Sequence, residues 1–171
     1  TFSNKFKEQA DIGERVFSGL DAYKKVVASG VDLVILATPP GFRPIHLEEA
    51  IKAKKHVFAE KPVAVDAPGV RKCLELAKLA QDQGTAVVAG TQRRHQAGYL
   101  ETIKQIHDGA LGEIVSARCS WNGQGIWFHK RQPDETDAHY QIRNWYHFLW
   151  LCGDHINEQH IHNLDVINWA L

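Results

Sequence analysis

The sequence predicts an α/β protein: a partial doubly wound parallel sheet, followed by an α/β domain with an open antiparallel sheet. Three observations predict it. Three short apolar runs, at 31–37, 57–59 and 85–89, alternate with stretches of helical spacing, which implies βαβ units with right-handed crossovers. Each run is apolar at nearly every position, as in parallel strands covered on both faces. After Arg94 the pattern changes to strict alternation: Val115, Ala117, Cys119 and Trp121 interleave with Ser116, Arg118 and Ser120. That period of two marks a sheet with one polar face, usually antiparallel.

In chain order, residues 1–15 are polar, with weak helical character at best, and Val16-Phe17 reads as a short strand. Leu20, Tyr23, Val26 and Val27 have helical spacing, and Gly30 suits the position just past the helix end. The strand 31–37 is broken by Thr38-Pro39-Pro40-Gly41, and 45–55 returns to helical character. The strand Val57-Phe58-Ala59 follows, and it stops at Glu60-Lys61-Pro62, because proline lacks a donor and holds its predecessor extended. Asp66 caps the next helix, with Pro68 in its first turn, Gly84 closing it, and Val70, Cys73, Leu74, Ala77 and Ala80 as its inner stripe. The strand 85–89 ends at Gly90, before Thr91-Gln92-Arg93-Arg94. A domain boundary is expected near residues 92–97, giving domains 1–94 and 95–171. Tyr99, Leu100, Ile103 and Ile106 make an amphipathic helix ended by Gly109 and Gly112. Residues 122–142 form a polar surface excursion, 144–151 are aromatic-rich, and from Asp154 a helix buries Leu164, Ile167 and Leu171.

The composition excludes several classes. The 20 basic and 20 acidic residues cancel, so neither nucleic acid nor an anionic membrane is an expected partner. No apolar run approaches membrane-spanning length. Cys73, Cys119 and Cys152 form no CxxC pair and read as reduced core thiols. The chain has no methionine and stops inside a helical pattern, as a fragment would. A cytoplasmic location is expected, with an exported form left open.

Parallel strands share a direction, so the three loops at 38–41, 60–62 and 91–94 lie on the carboxyl edge, where doubly wound sheets bind ligands. A lone Glu-Lys-Pro reads as a surface ion pair and a turn proline. Three such loops on one edge, with a lysine and two arginines among them, point instead to a site for phosphate or an oxyanion. A second constellation is Glu158, His162 and Asp165, whose spacings of four and three put them on one helical face. A helix-surface charge cluster is the plainer reading. A histidine oriented by carboxylates is also what a general base needs. No His-x3-His pair exists, so no histidine-based zinc site is expected. The same three residues would by themselves suit a two-carboxylate, one-histidine iron or manganese site in a hydrolase or isomerase. Trp121, Trp127, Arg143, Trp145, Tyr146 and His155 suit a polyol pocket as well as a core.

The order Val31 to Pro39, His46, Glu60-Lys61-Pro62, Gly90 to Arg94, then Gly153 to Asp165, resembles the glucose–fructose oxidoreductase / inositol dehydrogenase / rhizopine catabolism (Gfo/Idh/MocA) family. The resemblance implies a Rossmann-like dinucleotide-binding domain, here its later part, and the start of a substrate and oligomerisation domain. It implies hydride transfer between NAD or NADP and a sugar, inositol or related polyol, in a homodimer or homotetramer. Thr38, Pro39, His46, Glu60, Lys61, Gln92 and Arg93 would line the cofactor's path. Lys61 would also meet the reacting hydroxyl and His162 would be the base. Asp165 and Glu158 would hold it or touch substrate, with Arg143, Trp145 and His155 around the sugar. A cis Lys61–Pro62 peptide is expected. The family more often has Asp at the place of Glu158, and the GxGxxG pyrophosphate turn does not occur in these 171 residues. On the same fold, a cofactor-recycling glycosidase or a non-catalytic sugar sensor stays open.

Overall fold

The structure, a computed structural model, describes residues 12–171. The expected weak helix at 1–15 lies mostly outside them. Three parallel strands, β1 (Leu33–Leu36), β2 (His56–Glu60) and β3 (Val87–Gly90), form one sheet in the order β1-β2-β3. Val34 pairs with Val57 and Val57 with Val87, which sets Glu60 opposite Gly90. Helix α1 (Ala22–Ala28) precedes β1, α2 (Arg43–Lys52) joins β1 to β2, and α3 (Ala67–Gln83) joins β2 to β3. Beyond the sheet lie α4 (Ala97–His107), α5 (Asp137–Arg143), α6 (Leu149–Cys152) and α7 (Ile161–Ala170).

The crossovers start and stop as their residues dictate. Asp66 Oδ1 accepts from the Gly69 amide at 2.7 Å, and Gly84 closes α3 at φ +73°, a conformation that costs glycine nothing. Gly30 takes φ +86° just past α1. The core forms where α2 and α3 cover one face of the sheet, with Ala50 and Ile51 fully buried against Val34, Val57 and Leu76.

Several expectations are corrected. Val16-Phe17 forms no strand. Strand β1 is covered on one face only: Val34 and Leu36 are buried, whereas Leu33 and Ile35 are 53% and 65% exposed. No described element packs over that second face. The inner stripe of α3 is Gly69, Cys73, Leu76 and Ala80, and the neighbouring Val70, Leu74 and Ala77 face out. Residues 115–121 form no strand, and no antiparallel sheet exists among the described residues. A strand needs a partner for its backbone groups, and what lies beside this segment is helical: Asn163 Nδ2 of α7 donates to Ser120 O at 2.7 Å and His162 stacks on Trp121. Leu164 and Leu171 are exposed and Ile167 is only half-buried, because α7 lies on α4 and the Gln92–His95 turn without being enclosed. Cys73 and Cys152 are buried thiols, but Cys119 is half-buried, its sulfur 3.3 Å from His160 Nε2.

Two turns fix how the later elements meet the sheet. The turn Pro40–Phe42 runs against α6, and a methyl group at Gly41 would sit 2.3 Å from the Trp150 carbonyl oxygen. We predict that Gly41→Ala destabilises the protein by about 1–3 kcal/mol, the usual cost of forcing atoms into a packed contact. Urea unfolding measures this, and an unchanged midpoint would mean the two backbones do not touch. Asn157 donates from Nδ2 to Ala64 O at 3.1 Å and to Cys152 O at 3.0 Å. It thereby ties the segment before α7 to the chain just beyond Lys61.

Candidate active site at the carboxyl edge

The three strand ends do share one edge, and its centre is Lys61. The Lys61–Pro62 peptide is cis, as expected. Lys61 Nζ donates to Glu158 Oε1 at 2.7 Å and to the Glu158 backbone carbonyl, with the two side chains only 14% and 8% exposed. Partners 97 residues apart in sequence thus join the sheet to the segment that carries His162. Burial pushes the Glu158 carboxyl up from its usual value, while the Lys61 ammonium and, behind it, Arg43 oppose the shift. The second carboxylate oxygen, Glu158 Oε2, is buried with no hydrogen-bond partner. A buried acceptor of this kind costs about 1–3 kcal/mol unless something donates to it.

His162 lies at the start of α7, its ring stacked on Trp121 at 5.9 Å. Burial holds its imidazole below the ordinary 6.5, and the positive charges of Lys61 and Arg93 push the same way against Asp165 and Glu60. The imidazole is therefore neutral near pH 7, with a free base's capacity to take a proton.

His162 and Asp165, three apart within α7, keep a shared face, but Glu158 does not join them. A π-turn over Ile156–His160 precedes α7. Its wider i→i+5 spacing breaks the 3.6-residue arithmetic that aligned Glu158 with the other two. Glu158 is turned onto Lys61, and Asp165 is gripped by Arg94, whose Nε and Nη2 lie 2.9–3.0 Å from its oxygens. Neither carboxylate is hydrogen-bonded to His162. Both are engaged by cations, and among the described residues no three ligating side chains cluster as a metal site would need.

The remaining candidates divide. Thr38 is exposed at the end of β1, its hydroxyl 3.1 Å from Nδ1 of the buried His46, and His46 is stacked on Tyr23 at 4.4 Å. His46 thus orients Thr38, and burial followed by the Arg43 charge holds its imidazole below 6.5. Thr38, Pro39 and His46 line a mostly apolar cavity of ≈ 580 Å³, which also runs past Ile35 of β1. Glu60 lies over Gly90, where a Cβ would come within 2.6 Å of its Oε2. Gln92 is exposed at the edge. Arg93 is occupied, bonded to Asn163 Oδ1 and packed over Tyr99 and Trp121. His155, Tyr146 and Asp154 border a cavity of ≈ 380 Å³. Arg143 pairs with Glu135 at 3.3 Å and donates to Lys130 O, and Trp145 packs on Trp127 and Tyr146. No hydrogen bond or ring contact carries either of these two to Lys61, Glu158 or His162. The sequence reading missed Arg43, Asn157 and the Arg94–Asp165 pair. Only their position beside strand ends and before the helix hinted at them.

The residues present would suit one end of a dinucleotide: the Lys61 ammonium and the exposed Thr38 and Gln92 would be the donors and acceptors for a nicotinamide and its ribose. The glycine-rich turn that holds a pyrophosphate has no counterpart in these residues.

Comparison with known proteins bears on the family and the fold. The family model described as "Oxidoreductase family, NAD-binding Rossmann fold" matches residues 3–91. The 2,7-anhydro-N-acetylneuraminate hydratase of Escherichia coli is 33% identical over 157 residues, covering 90% of this chain and 37% of that protein. The inositol 2-dehydrogenase of Rhizobium meliloti is 33% identical over 144 residues, covering 84% and 38%. The chain thus spans less than two-fifths of these relatives' length. An oxidoreductase from Thermotoga maritima superposes with a TM-score of 0.68 at 20% identity, covering 99% of this chain and 47% of that one. An aldose–aldose oxidoreductase from Caulobacter crescentus gives 0.66 at 23%, covering 98% and 46%. These two likenesses concern the fold alone. With an NAD-binding Rossmann sheet matched over more than half its length, the chain belongs to the Gfo/Idh/MocA oxidoreductase family.

Proposed function

We propose that the intact protein oxidises a carbinol of a sugar, inositol or related polyol with NAD or NADP, using Lys61 and His162. The observation that carries this reading is the convergence at one strand end. The Lys61 ammonium sits on Glu158, in the turn that leads directly into the helix carrying His162. A nicotinamide, when bound, supplies the hydride acceptor. Lys61 donates a hydrogen bond to the substrate oxygen and stabilises the negative charge that grows there. His162, kept neutral by burial and by two cations, accepts the hydroxyl proton. Glu158 holds the ammonium in place. Thr38, Pro39, Glu60 and Gln92 border the cofactor, with His46 behind Thr38. Arg93 and Asp165 act on His162 through charge and through the anchoring of α7. His155, beside Tyr146, contacts the polyol.

One observation favours a second reading. The relative at 33% identity over 90% of the chain is named a hydratase, so the same residues would serve a reaction with no net oxidation. Polyols deuterated at the carbinol carbon separate the two. Deuterium gained by the nicotinamide in proportion to ketone formed supports the oxidoreductase. Product formed with no net reduced cofactor supports the hydratase-like course, and no product from any polyol removes both.

A further inference from the structure

Resting on the reading of Lys61 as catalytic, we propose that Arg43 is the site's positioning residue. Its guanidinium bridges the chain just after β1 to the chain just after β2 and so fixes where the Lys61 ammonium emerges against Glu158. Arg43 is the first residue of α2 and only 2% exposed. One terminal nitrogen donates to Thr38 O at 2.5 Å and the other to Pro62 O. Both carbonyls lie beyond the ends of their strands, where no ladder partner is available, and Pro62 is the residue after Lys61.

The placement works against fold stability in two ways. A cation at a helix N-terminus opposes the helix dipole. A buried charge also loses hydration, and apolar residues of similar size often replace such charges without loss. Burial does pull Arg43 down from its usual value, and the negative charges of Glu158 and Glu60 oppose that shift. The cation thus feels the charge of the same carboxylates that flank Lys61, while its hydrogen bonds go to the two carbonyls. What an apolar side chain cannot supply is a planar fork that satisfies two carbonyls at once. Lysine cannot supply it either, although it keeps the charge. Arg43→Lys therefore separates geometry from electrostatics.

The test uses the intact protein, with Arg43→Lys and Arg43→Gln as variants. Lys61 is labelled with acetic anhydride at a temperature well below melting, and its rate is compared with that of the exposed Lys54 by peptide mass spectrometry. The expected result is a Lys61 rate several-fold above wild type in both variants, because the ammonium no longer rests on Glu158. In Arg43→Lys, kcat falls at least tenfold, while KM and dinucleotide affinity stay within a few-fold. Wild-type labelling and wild-type kcat in both folded variants would overturn the proposal. Labelling needs no turnover, so it decides the role of Arg43 even if the polyol reading fails. Should neither variant fold, nitrogen-15 NMR of the wild-type protein decides. Slowly exchanging, rotationally restricted Arg43 Nη protons support the bridge, and a freely rotating guanidinium refutes it.

Discussion

Lys61→Met in the intact protein is expected to lower kcat by about 10²–10³-fold, the usual cost of losing one preorganised donor to a developing oxyanion. The same change should destabilise the fold. Lys61 and Glu158 are nearly buried and bonded to each other, and removing one partner of such a pair costs about 3–5 kcal/mol because the other charge is stranded. The two effects separate in the double variant Lys61→Met/Glu158→Gln, which leaves no stranded charge. Its unfolding midpoint should recover most of the loss while turnover stays low. Recovery of both together would mean that Lys61 serves the fold and not the chemistry.

His162→Gln is expected to lower kcat/KM by about 10²–10⁴-fold, the range for losing a general base, with dinucleotide affinity retained. Its pH behaviour follows from the direction of its shift. Burial first, then Lys61 and Arg93, hold the imidazole below 6.5. Activity should therefore persist at 6.5 and fall only as the pH drops through the lowered value. Stability has the same sign: a base with a depressed folded pKa contributes stability above 6.5 that is lost as the pH falls through the folded value. Glu158 has the opposite sign. Its raised carboxyl contributes stability that is fully present below 4.5 and lost as the pH rises through the folded value. Arg93→Gln removes one of the two cations acting on His162, so the acid limb of kcat/KM should move to higher pH. A limb that stays in place would show that Arg93 does not act on the imidazole.

The parallel sheet was legible because β-branched runs broken by proline and glycine have few alternatives. The edge chemistry followed because parallel strands place their ends together. What escaped did so for identifiable reasons. The π-turn before α7 is invisible to arithmetic that assumes 3.6 residues per turn, so Glu158 was expected on the face of His162 and Asp165 and is instead turned onto Lys61. Helix α3 carries two apolar stripes offset by one residue, and hydrophobicity cannot choose between Cys73-Leu76-Ala80 and Val70-Leu74-Ala77. The alternation at 115–121 has the pattern of a strand, but a pattern supplies no partner. Arg43 follows a Pro-Gly turn, where an arginine reads as solvated, and only packing shows it buried under two carbonyls.

If one ammonium and one imidazole share a site at the end of β2, as proposed, removing the first must shift the titration of the second. In intact protein carrying carbon-13 histidine, NMR should show the His162 ring titrating below 6.5 in the wild type and at a higher pH in Lys61→Met. An identical His162 titration in the two proteins, both folded, would contradict the account.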